Sequence, residues 1–142
     1  ANTILDGLVS LQANSTATTI SVAGTAVIVA GTWVVQKSGV GSATTSGRIT
    51  YTGSANQELV LDASLSIKTA SASAQNVSVY LAKNGTIIAA SRINAETDNT
   101  MEKNISVSWI ETAAQNDYFE VFVANDTSTD NLIVSRAVLR TS

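Results

Sequence analysis

The side chains best placed to do chemistry are eleven acids, set against eight Lys and Arg in a 142-residue chain that has no His and no Cys. Lack of His removes the commonest general base and metal ligand, and with it Ser/His/Asp and Cys/His nucleophilic machinery. Lack of Cys removes disulfides and thiolate metal sites. Two-carboxylate, Lys or Tyr chemistry remains. Carboxylates that hydrolyse glycosides must face each other across a cleft about 5 to 10 Å wide. No spacing among the acids selects such a pair, and Asp117 and Glu120 are the two whose substitution would reveal one. The expectation is a protein that is not an enzyme, with no catalytic residue, cofactor or metal.

Individual candidates each have a plainer explanation. Asp126 and Asp130, with Asn125 and Asn131 beside them, could wrap oxygens around calcium. Asn, Asp, Ser and Thr are also what a polar turn is made of, and the turn is the favoured reading there and at Glu96 and Asp98. Glu120 stands between Phe119 and Val121. It reads either as an interface ion pair or, preferably, as an acid pointing to solvent. Asn-x-Ser/Thr triplets start at Asn14, Asn76, Asn84, Asn104 and Asn125, a frequency that a chain rich in these residues reaches by chance. Trp33 and Trp109 read as core or interface anchors rather than a sugar-stacking platform.

The elements that must carry these residues are strands. Leu59, Leu61, Ala63, Leu65 and Ile67 alternate with Glu58, Asp62, Ser64, Ser66 and Lys68, the period of a strand with one wet face. Val77, Val79, Leu81 and Ile105, Val107, Trp109 repeat the pattern. Asn84-Gly85 between Leu81 and Ile87 predicts a hairpin with a type I′ turn, because both residues tolerate positive φ. Further turn signals fall at 39–47, 53–56, 96–100, 115–117 and 125–131. They divide the chain into about nine strands, the spacing of an all-β sandwich or jelly roll. Two segments, Ala26 to Val35 and Tyr118 to Val123, are apolar on both faces and predict central strands or strands covered by another subunit. Ile4, Leu5, Leu8, Val9 and Leu11 precede the regular pattern, so residues 1–17 read as an apolar arm seeking a partner and 18–142 as the sandwich domain.

Composition narrows the partners. A net charge of −3 with scattered basic residues gives no stripe for nucleic acid. The longest apolar run falls short of the roughly 20 residues that cross a bilayer. No basic, apolar leader is read at Ala1, and removal of an initiator Met is the expected history.

Three segments, Tyr80-Leu81-Ala82-Lys83-Asn84-Gly85-Thr86-Ile87-Ile88, Asn104 to Ser108, and Asn116 to Asn125 with its Asp-Tyr-Phe-Glu-Val-Phe-Val core, carry a resemblance. Together with a last strand over Leu132 to Leu139, they resemble the C1q/TNF-like jelly-roll modules of bacteriophage structural proteins: capsid decoration (cement) proteins, head fibres and tail-fibre tips. The resemblance covers roughly residues 18 to 140 and leaves out the arm. It implies an antiparallel jelly-roll sandwich that oligomerises through one hydrophobic face, with trimers favoured over dimers, and it brings no catalytic residues.

The expectation is therefore a virion structural protein on the outer capsid surface, a decoration protein whose partners are copies of itself and the major capsid protein. Subunit contacts fall on Val27, Val29, Trp33, Val35, Tyr118 and Phe122, and capsid contacts on the arm residues Ile4, Leu5, Leu8, Val9 and Leu11. The alternative is a receptor-binding fibre tip whose loops, such as 38–47 and 125–131, touch a host glycan or protein.

Overall fold

The computed structural model describes residues 6–38 and 46–142. The described strands are β1 (Gly7–Leu11), β2 (Ala17–Thr18), β3 (Val27–Ile28), β4 (Val34–Ser38), β5 (Ile49–Thr50), β6 (Gln57–Thr69), β7 (Gln75–Lys83), β8 (Thr86–Ile87), β9 (Ile93–Thr97), β10 (Lys103–Ala113), β11 (Tyr118–Asn125) and β12 (Leu132–Thr141). A 3₁₀ turn, Ala89–Ser91, sits between β8 and β9. Among the described residues no helix is long and apolar enough to cross a membrane.

Two antiparallel six-stranded sheets form a jelly-roll sandwich. The first runs β10-β6-β12-β1-β4, with β2 paired to β12; the second runs β3-β11-β7-β8, with β5 on β11 and β9 on β7. The expected period-two strands account for the packing. Along β6 the odd-numbered residues from Leu59 to Ile67 are buried, and β10 presses Ile105 and Val107 into the same layer. From the second sheet Val77, Val79, Leu81, Phe119, Val121 and Val123 meet them, closing one continuous core. Burying a side chain of this size is worth about 1.5–3 kcal/mol, so the inward rows of four long strands supply most of the cohesion.

The arm expected over residues 1–17 does not exist in its described part. β1 lies between β12 and β4, pairing Val9 with Leu139 and Val35, and Leu11 with Ala137. Val9 and Leu11 are fully buried in the core between the sheets and Leu8 is half-buried, and the strand covers what would otherwise be an open edge of β12. Ile4 and Leu5 lie outside the described residues.

The apolar run Ala26 to Val35 is likewise not one strand. β3 belongs to the second sheet and β4 to the first, and the chain crosses between them at Gly31, whose φ is +140°. A Cβ at Gly31 would stand 2.7 Å from Leu11 Cδ1, so the crossover needs glycine twice over. By contrast β11 and β7 are the two inner strands of their sheet, the central position that apolar residues on both faces had suggested. The Asn84-Gly85 hairpin forms as expected, with φ of +54° and +81° and Lys83 paired to Thr86.

Candidate functional site

Opposite the core, the first sheet presents an unusual outer face. Even-numbered residues of β6 and β10 point outward, and their register sets Ser64 against Ser106, Asp62 against Ser108, and Val60 against Ile110. Beside them β12 contributes Val138, opposite Ser64, and Arg140, opposite Asp62. Because the central side chains are serines, the face sinks into a depression of about 310 Å³ lined by Asp62, Ser64, Ser106, Ser108, Val138 and Arg140. Ser108 Oγ donates to Asp62 Oδ1 at 2.5 Å. At one end of the trough Ile110 stands 61% exposed next to Val60 at 37%. At the far edge β4 leaves Val34 and Val35 exposed. This is a shallow polar floor with aliphatic shoulders, a shape that receives another surface more readily than a small substrate.

The six residues expected at a subunit interface do not come together. Trp33 and Val29 are core side chains. Trp33 Nε1 is buried without a hydrogen-bond partner among the described residues, and its ring packs so close to Gly47 that a Cβ there would lie 2.6 Å away. Val27, Tyr118 and Phe122 are half-buried on the second sheet, whereas Val35 is exposed on the edge of the first. The residues that sequence reasoning passed over are Val60 and Ile110, each a lone aliphatic on the polar phase of its strand. That break in alternation was the available signal.

Glu120, expected to face solvent, is 3% exposed. Arg48 Nε lies 3.4 Å from its Oε2, and the same guanidinium stacks 3.8 Å from the centre of the Tyr118 ring. The acid is tolerated mid-strand because a delocalised cation held over an aromatic face compensates it.

Glu96, expected in a turn, lies instead in β9, paired with Asn76 and exposed, whereas the other acids named from sequence are engaged within loops. Asp126 accepts hydrogen bonds from Ser78, from Arg92 at 3.2 Å and from Asn94 at 3.2 Å. Asp130 accepts from Gln75 at 2.7 Å and Ser128 at 3.0 Å. Asn125 is fully buried, its Oδ1 accepting the Thr127 and Ser128 N–H groups, so loop 125–131 is a turn pinned to β7 rather than a set of free oxygens. Asp98 accepts from Thr100 and Met101, and these bonds hold its carboxyl below the usual range. Asp117 is held low chiefly by the Asn84 amide, then by the Ala114 N–H and the nearby Lys83 ammonium. Lys83 in turn reaches the Thr112 carbonyl at 2.7 Å and lies 3.8 Å from Glu111, tying β7 of one sheet to β10 of the other. Loop 39–45 lies outside the described residues.

No protein-family model matches the chain, and no curated protein matches it. Among solved structures it is similar to murine APRIL at pH 5.0, with 10% identity over 95% of this chain and 98% of that one, at a TM-score of 0.47.

Proposed function

We propose that this chain is a non-enzymatic structural protein of a virus particle, a capsid decoration protein of the outer shell that works through contacts between copies of itself and with the capsid. The observation that carries the self-contact is the outer face of the first sheet, where Ile110 and Val60 stand exposed side by side above the serine-floored trough. A strand face with polar alternation has no local reason to place an isoleucine at 61% exposure, and such shoulders gain about 25 cal/mol per Å² when another surface covers them. The virion setting rests on the resemblance of the hairpin and of β11 and β12 to phage jelly-roll modules. A trimer is the favoured assembly on the same ground.

Attachment to the shell takes a different route from the one expected from sequence. β1 is an inner strand of the first sheet, so the proposal gives the capsid contact to loops and sheet faces rather than to residues 6–17 as a free arm. The test is to add the purified protein to particles that lack it. Saturable binding and a higher temperature of shell disassembly support the reading, and absence of both overturns it.

A further inference from the structure

The only Asn-Gly pair in the sequence is Asn84-Gly85, and it forms the tip of the β7–β8 hairpin. This dipeptide is the one most open to deamidation, because glycine lacks the side chain that would crowd its backbone nitrogen during ring closure. In the fold the Asn84 amide is engaged at both polar atoms. Its Nδ2 donates to Asp117 Oδ1 at 2.9 Å, and its Oδ1 accepts the Tyr118 N–H at 3.0 Å. The Asn84 N–H adds a bond to the Tyr118 carbonyl at 2.9 Å, so the hairpin tip is latched to the start of β11 by three hydrogen bonds from one residue. The acceptor is itself fixed: Asp117 Oδ2 accepts the Ala114 N–H at 2.9 Å, and the Asp117 carbonyl accepts the Tyr51 N–H at 2.8 Å.

We propose that Asn84 is a guarded deamidation site: the latch to Asp117 and Tyr118 prevents the reaction, opening of the β7–β8 hairpin permits it, and the product, lacking the donor to Asp117, latches more weakly. The chemistry needs only water. The Gly85 nitrogen loses its proton and attacks Asn84 Cγ, the Cγ–Nδ2 bond breaks, and ammonia leaves, giving a five-membered succinimide. Water then opens either carbonyl to yield aspartate or isoaspartate, with no change of oxidation state.

Ring closure requires the side-chain amide to rotate free, which means breaking both of its hydrogen bonds. Aspartate at 84 removes the Nδ2 donor and sets a carboxylate oxygen about where that donor stood, against the Asp117 carboxylate; the ammonium of Lys83, 3.6 Å from Asp117, then faces two acids there. Isoaspartate adds a backbone methylene to a two-residue turn and destroys its register. This inference is independent of the virion reading.

The test is peptide mapping of the whole protein after incubation at mildly alkaline pH, folded and in urea, for wild type and for Asp117→Ala. Wild type is expected to convert at Asn84 at least about tenfold more slowly when folded than in urea. Asp117→Ala is expected to convert about tenfold faster than wild type under folding conditions, the factor that one charge-assisted hydrogen bond supplies. Equal rates for folded and unfolded wild type overturn the guard, as do equal rates for folded wild type and folded Asp117→Ala. The last step of the proposal is read from Asn84→Asp, made directly. Faster hydrogen exchange at the Tyr118 amide than in wild type supports it, and unchanged exchange refutes it.

Discussion

Leu11→Ala separates a structural first strand from a loose arm. Leu11 is 1% exposed, is paired to Ala137 of β12, and has its Cδ1 packed toward Gly31 at the crossover between the sheets. Truncation removes three carbons from a site walled on one side by rigid strand and on the other by a glycine whose φ of +140° leaves it little freedom to move inward. The cavity therefore collapses poorly, and the cost belongs in the upper part of the range for buried leucines, about 3–5 kcal/mol. With a urea slope of about 1–3 kcal/mol per molar, the unfolding midpoint falls by more than about 1 M, read by far-UV circular dichroism or Trp fluorescence. A loss under about 1 kcal/mol, with the same slope, would refute the placement of β1 in the core.

Two further outcomes follow from the ion pairs. Arg48→Ala strands the buried Glu120 carboxylate and is expected to cost about 1–3 kcal/mol, discounted from a fully buried pair because the Arg48 side chain is 40% exposed. Adding Glu120→Leu should recover most of that loss in urea titrations, and no recovery would show that Arg48 acts by other means. Asp117 has a folded pKa depressed below its unfolded value of about 3.9. Its stabilising contribution is thus complete above that unfolded value and disappears as the pH falls through the folded one. Asp117→Asn should flatten the acid limb of the stability curve below about pH 4, and an unchanged limb would remove Asp117 from the account.

What could be read in the sequence was what repeats locally. β6 and β10 announce themselves by strict alternation, and the Asn84-Gly85 turn needs only its two residues. Distant partners hid the rest. β1 looked like an arm because Leu8 and Val9 are adjacent apolars, and its pairing with β12 and, with a register shift between Leu8 and Val9, with β4 has no local signature. Glu120 looked solvent-facing because its counter-ion Arg48 lies 72 positions away in sequence. Trp33 and Val35 looked like neighbours on one strand, and Gly31 alone gave no measure of how sharply the chain changes sheets there. The trough on the first sheet depends on the cross-strand pairing of Ser64 with Ser106, which no single strand contains.

Self-association through the first sheet is read from the solution mass of wild type and of Ile110→Asp across a range of concentrations. Ile110 is outside the core, so the variant should fold, while the lost shoulder, 61% exposed in the single chain, removes about 1–2 kcal/mol of contact per chain and adds a charge that resists burial. Wild type is expected as an oligomer and Ile110→Asp as a monomer of unchanged circular dichroism. A wild type that stays monomeric throughout, or a variant that assembles as wild type does, would contradict self-association through this face.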